Sequence, residues 1–243
     1  MNHTKIEWVK NQDGTHGYTI NPVKGLCPMA CTYCYARRMY KRYKWDETIR
    51  MEPDWVEDLP KKPSRVFVGS TMELFGDWVE DWMWDSIWAY VNDYPQHTFI
   101  FLTKQPHNLI KWSPFPPNCC VGVSATNDVM FHNAVSQLAL VNASVKFISC
   151  EPLLSSMNVA WVNPDVIQWL IIGQQTPVSK KTEPKVEWIK EIVEAADNAG
   201  IPVFLKDNLR TLLIPEDCGN PNALMVDNLW ESDKAKLRQE LPR

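Results

Sequence analysis

No apolar run in this 243-residue chain approaches the roughly 20 residues that a membrane helix requires, so no bilayer-spanning helix is expected. Met1 to Lys10 is polar and charged, with no apolar stretch behind it, so no secretory leader is expected either. Excess positive charge is missing too. A formal net charge of -4 and a pI of about 5.8 give no global basic field, so strong nonspecific nucleic-acid binding is not implied. A local basic groove stays open. No G-x-G-x-x-G follows the first strand-like run, since Gly25 leads through Leu26 into the cysteines; a doubly wound dinucleotide fold is therefore not expected. There is no internal repeat, no low-complexity tract and no evident linker.

What is present begins with apolar residues, at 45%, ample for a packed core. Twelve tryptophans and eighteen prolines are many. Burying Trp without a partner for its N–H is costly, so some should line clefts or interfaces. Seven cysteines is an odd count, and they cluster. Metal-binding or catalytic thiols in a reducing, intracellular compartment fit this better than a disulfide framework.

Short β-rich runs alternate with helical periodicity. Strands are expected at Tyr18–Pro22, Arg65–Gly69, Thr98–Leu102, Cys120–Ser124, Lys146–Cys150, Gln168–Gly173 and Pro202–Leu205. Most are continuously apolar, as in parallel strands buried on both faces. Helices are expected at Tyr35–Lys44, Glu80–Tyr94, Asn127–Leu140 and Lys185–Ala199, the last capped by Gly200. This alternation predicts an α/β fold, a partial (β/α) TIM-like barrel of about six to seven parallel strands. The expected organisation is one domain over 1–243, with a short C-terminal extension from about 208 that is loop-like and then a polar, charged helix. Ser113-Pro114-Phe115-Pro116-Pro117 reads as a tight connection rather than a boundary.

Cys27, Cys31 and Cys34 stand as Cys-Pro-Met-Ala-Cys-Thr-Tyr-Cys, a C-x3-C-x2-C spacing in the loop after the first expected strand. In a (β/α) barrel the loops after the strands carry the active site. Three thiolates this close can hold three irons of a [4Fe-4S] cluster and leave the fourth iron open for reaction. The same thiols could bind zinc, with His16, Cys150 or Cys218 as fourth ligand, in a non-catalytic metal-binding or interaction protein. No second C-x2-C or H-x3-H recurs downstream.

C-x3-C-x2-C with an aromatic residue directly before the last cysteine, here Tyr33, resembles the signature of the radical S-adenosylmethionine (SAM) superfamily. Lys5-Ile6-Glu7-Trp8, Asn21-Pro22-Val23, Gly25, Tyr35-Ala36, Ser70-Thr71-Met72-Glu73-Leu74-Phe75, Leu102-Thr103-Lys104, Gly122-Val123-Ser124 and Ser149-Cys150-Glu151-Pro152-Leu153 extend the likeness. Together they resemble a phage-associated family of uncharacterised radical-SAM-like proteins, over most of the chain to about Lys206. The core is also similar to that of spore photoproduct lyase. Two segments depart from the family pattern: its glycine-rich segment after the sixth strand reads Gly173-Gln174-Gln175 here, and its Lys-Gln-Trp segment reads Lys206-Asp207-Asn208.

The resemblance implies a [4Fe-4S] cluster on Cys27, Cys31 and Cys34, with SAM on the open iron. Reductive cleavage to a 5′-deoxyadenosyl radical and hydrogen abstraction from a substrate would follow, the cofactors carrying the difficult chemistry. The substrate class it suggests is a nucleic-acid base or modified nucleotide. The implied partners are SAM and an electron donor such as flavodoxin or ferredoxin, in the cytoplasm of a bacterial or phage-infected cell. Ser70 and Thr71, with Glu73, would accept from the SAM ammonium, although Ser or Thr followed by Glu can equally start a helix. Lys104 would bind the SAM carboxylate or be merely solvated, and Gln105 and His107 offer further donors. Tyr33 would lie near adenine or pack on the loop. Ser124 and Thr126 would meet the ribose, Glu151 would face the same barrel end, and Gln174 and Gln175 would face substrate. All of these follow expected strands.

Two further stretches carry alternatives. Arg37 to Trp45 interleaves cations with aromatics, a pattern that grips phosphate backbones or is simply a solvated face. Trp78, Trp82, Trp84 and Trp88 form a partner surface or pack outside the barrel.

Overall fold

Apolar runs of four to six residues settle as strands where both of their faces are buried. The computed structural model describes residues 2–56, 59–213, 229–231 and 236–242. Its main sheet has eight strands: β1 (Asn2–His3), β2 (Tyr18–Ile20), β3 (Arg65–Val68), β4 (Thr98–Thr103), β5 (Cys119–Ser124), β6 (Val145–Cys150), β7 (Trp169–Ile172) and β8 (Val203–Leu205). Helix α1 (Tyr35–Tyr43) follows β2, α2 (Asp81–Asp93) follows β3, α3 (Asp128–Leu138) follows β5, and α4 (Val186–Asn198) follows β7. The strands pair in chain order, with β1 antiparallel to β2 and the other seven parallel. This is an α/β partial barrel. No helix among the described residues is long and apolar enough to cross a membrane.

The chain divides into two compact units, residues 1–122 with 141–144, and residues 123–140 with 145–243. In the first, β3 pairs with β2 and β4 in parallel register, Val66 opposite both Tyr18 and Phe99. All four β3 residues are buried, including Arg65. Helix α2 buries Met83, Trp84, Ile87, Tyr90 and Val91. Trp84 stacks on Trp88 at 4.9 Å between ring centres and packs against Trp112 and Phe75. The tryptophan-rich stretch is thus mostly packing; of these residues Trp82 is the one left half exposed.

In the second unit, β6, β7 and β8 pair in parallel, and all four β7 residues are buried. Helix α3 is started by Asn127, whose side-chain oxygen accepts from the Met130 amide at 3.0 Å. Helix α4 buries Ile189, Ile192, Val193 and Ala196 and ends at Gly200, with φ of +67°. The Ile201 amide reaches back to the Ala196 carbonyl at 2.8 Å, the six-to-one bond of a glycine-terminated helix.

The C-terminal segment departs from the expected helix. Lys236–Leu237 pairs antiparallel with Trp230–Glu231, and the Leu205 amide donates to the Arg238 carbonyl at 2.8 Å. β8 ends the sheet, and an open edge recruits any extended segment able to satisfy its amides and carbonyls. Polarity alone does not reveal that partner. Most of the extension, with Cys218, lies outside the described residues.

Candidate functional site

The cysteine loop is held from both sides. Gly25 has φ of +125°, and a Cβ there would lie 2.7 Å from the Ile49 Cα and the Thr48 carbonyl oxygen, so only glycine lets the two backbones approach. The Gly25 amide donates to the Tyr40 hydroxyl at 2.8 Å, and the Leu26 amide to the Glu47 carbonyl at 2.9 Å. Arg37 closes the loop by donating to the Cys27 carbonyl at 2.7 Å. Between the first two cysteines Ala30 sits at φ of +50°, a left-handed turn that costs an alanine roughly 1 kcal/mol.

Cys34 is the N-cap of α1, its sulfur accepting from the Arg37 amide at 3.5 Å. The positive end of a helix favours negative charge there. The thiols of Cys27, Cys31 and Cys34 are free and half-buried. Burial pushes the Cys27 thiol up, against the Glu73 and Met29 backbone amides that donate to its sulfur. Among the described residues there is no group of three or more His, Cys, Asp or Glu able to hold a metal ion.

Two neighbouring segments of the same unit meet this loop. In the first, Ser70 Oγ, Thr71 Oγ1 and the Thr71 amide all donate to Asn21 Oδ1, each at 3.1 Å. Both hydroxyl protons are thereby committed, and the oxygen lone pairs remain as acceptors. The Tyr35 hydroxyl donates to the Ser70 carbonyl at 2.8 Å, fastening α1 to this segment. Ser70 and Thr71 cap no helix, since α2 begins ten residues later behind Glu80. Glu73 is buried and accepts from Thr103 Oγ1 and the Lys104 amide, each at 2.6 Å, and from the Phe75 amide at 3.1 Å. Burial raises its carboxyl, and those donors partly offset the rise.

The second segment is the end of β4. Lys104 Nζ lies 6.0 Å from the centre of the Tyr33 ring, and Gln105 Nε2 is 3.1 Å from Met29 Sδ. Cys27 to Tyr35, Ser70 to Glu73, and Thr103 to Gln105 therefore form one constellation. By chemistry the donor set suits an iron–sulfur cluster, although among the described residues the three thiols are not gathered into a metal-holding group. It offers three thiols on one loop, a helix N-terminus at one of them and two backbone amides on another, and hydrogen bonds to sulfur tune such clusters.

His107 is exposed on the short helix after β4, and the other expected residues lie in the second unit. Ser124 and Thr126 are buried, and the Thr126 hydroxyl donates to Met130 Sδ at 3.3 Å. Glu151 forms an ion pair with Lys206. Gly173 underlies that pair, since a Cβ there would lie 2.9 Å from Lys206 Cδ and 3.4 Å from Glu151 Cδ. Gln174 is buried, and the two departures from the family pattern meet each other here. The Gln174 amide donates to Asn208 Oδ1 at 3.2 Å, Gln174 Nε2 to the Asn208 carbonyl, and Asn208 Nδ2 to the Gln174 carbonyl at 2.7 Å. Gln174 Oε1 is buried without a hydrogen-bond partner among the described residues. Burial pushes the thiols of Cys120 and Cys150 up to about 11 and about 12 and raises Cys119 further. All three are free thiols buried in the interior.

Residues 3–210 match the family described as Protein of unknown function (DUF5131). The chain belongs to this family. No curated protein matches it. Among solved structures, the DUF5131 chain is similar to spore photoproduct lyase complexed with dinucleoside spore photoproduct, and to a mutant of that lyase with bound AdoMet and the same dinucleoside. Each match has a TM-score of 0.44 and 11% identity, and covers 79% of this chain. The chain spans 63% of the lyase's length.

Sequence reasoning missed the holding residues. Asn21 stood out only as part of a pattern, and Arg37 only as one cation in a run. Thr103 and Tyr40 likewise stood only within longer stretches, because a long-range hydrogen bond leaves no periodicity. Gly25 too stood out only as part of that pattern, not as the point where two backbones meet.

Proposed function

We propose that the DUF5131 chain is a radical SAM enzyme whose cysteine loop carries a [4Fe-4S] cluster. A cluster held by Cys27, Cys31 and Cys34 would supply the electron for reductive cleavage of SAM, the chemistry by which hydrogen would be taken from a substrate. The observation that carries the reading is the convergence of the three-thiol loop with two hydroxyl oxygens oriented as acceptors.

In this reading Cys27, Cys31 and Cys34 ligate three irons. Ser70 and Thr71, their protons fixed on Asn21, accept from the SAM ammonium. Glu73 has most of its acceptor capacity committed to Thr103, Lys104 and Phe75, so it holds the two segments together and supplies negative potential. Lys104 answers the SAM carboxylate, and Tyr33 beside it borders the adenine. Arg37 and Tyr40 keep the loop in register. The proposed substrate class is a nucleic-acid base or nucleotide, and the electrons come from a small redox protein.

The test is anaerobic incubation of reconstituted protein with SAM and a strong reductant. Formation of 5′-deoxyadenosine and methionine is expected, and absent in Cys31→Ala. A cluster-loaded protein that leaves SAM intact contradicts the catalytic reading.

A further inference from the structure

The basic run Arg37 to Trp45, exposed from Lys41 onward, also lines a cleft. Arg37, Arg38, Lys41 and Lys44, with Leu26, Tyr40, Trp45 and Glu47, line a cleft of about 520 Å³, within the roughly 300–1,000 Å³ range of ligand sites. Four cations face one carboxylate there. Lys41 and Lys44 form no ion pair among the described residues, and Arg42 lies 5.4 Å from the centre of the Tyr43 ring. A chain of net charge -4 that sets four cations against one carboxylate in one concavity has a local field opposite to its global one.

The backbone builds this cleft. Helix α1 stops because Lys44 takes a left-handed conformation, φ 55° and ψ 39°, which an L-residue adopts at a cost. That turn folds Trp45 back onto the helix, stacked with Tyr43 at 5.5 Å and edge-on to Tyr40 at 5.2 Å. Trp45 stays 43% exposed, leaving ring surface available. The cleft also adjoins the cysteine loop, because Leu26 precedes Cys27 and Arg37 donates to the Cys27 carbonyl. Cations alone would suit any acidic partner. A concave site with an indole wall favours phosphates carrying bases over a flat protein surface.

We propose that this cleft binds single-stranded nucleic acid, with phosphates on Arg38, Lys41 and Lys44 and a base stacked on Trp45. As a substrate site it rests on the reading above; as a binding site it is measured without turnover. The experiment is a fluorescence-anisotropy titration of a labelled oligothymidylate of about ten nucleotides with the reconstituted protein, across about 50 to 200 mM salt. The slope of log affinity against log salt is expected near −2, from three phosphates at about −0.7 each. Lys41→Glu with Lys44→Glu weakens binding at least about tenfold and flattens the slope. Trp45→Ala weakens it at least about fivefold with the slope kept, and Trp45→Phe restores it. All variants keep wild-type circular dichroism and visible absorbance, which separates a lost site from a lost fold. The proposal is overturned if the oligonucleotide does not bind. It is overturned equally if Trp45→Ala binds like wild type while an acidic redox protein competes, which marks a generic polyanion surface. Loss of SAM cleavage with oligonucleotide binding intact would fault the enzyme reading alone.

Discussion

Single side chains here act through the protons they have already given away. Asn21 Oδ1 takes a bond from each of two hydroxyls, so Ser70 and Thr71 present lone pairs outward. Thr71→Val keeps the shape and removes the acceptor. It should weaken SAM binding to the reconstituted protein about tenfold by equilibrium dialysis, the scale of one hydrogen bond to a charged group. Thr71→Ser should bind as wild type. Equal affinity in Thr71→Val would remove Thr71 from the site. Gln174 shows the opposite state, a buried acceptor without a donor among the described residues, an arrangement that costs roughly 1–3 kcal/mol. It arises where both departures from the family pattern coincide, and that coupling is invisible until Gln174 and Asn208 are seen to hydrogen-bond.

At the scale of elements, the cysteine loop depends on α1. Tyr40→Phe leaves the buried Gly25 amide unpaired, so urea denaturation should show a loss of about 1–3 kcal/mol and reconstitution a lower iron content. Unchanged stability would mean that the helix does not hold the loop. The start of β4 carries a pH-sensitive joint. His97 is 1% exposed, and its Nδ1 accepts from the Ser64 amide at 3.0 Å, a contact that requires the neutral ring. Burial lowers its pKa from 6.5. In the window below 6.5 the unfolded chain binds a proton that the folded one refuses, so stability falls as pH drops through it. Denaturation midpoints should decline with acid in the wild type, and less steeply in His97→Gln; parallel curves would rule His97 out.

Across the whole molecule, the fold was legible because burial on both faces leaves apolar runs that stand out in the chain. Val66-Phe67-Val68 and Trp169-Leu170-Ile171-Ile172 marked strands, and Gly200 marked the end of α4. The two-residue β1 and the ladder between Val23–Lys24 and Arg50–Met51 were not legible, being too short to carry a pattern. The C-terminal helix expectation failed because an edge strand is specified by its neighbour. Of the candidate site, the three-cysteine loop was legible from its spacing, whereas the residues that hold that loop act across tens of positions. The account as a whole rests on those cysteines. Metal content and absorbance of anaerobically purified protein test it most directly. About four irons per chain with broad visible absorbance, both lost in Cys31→Ala, is the predicted result. A colourless protein holding one zinc per chain would contradict it.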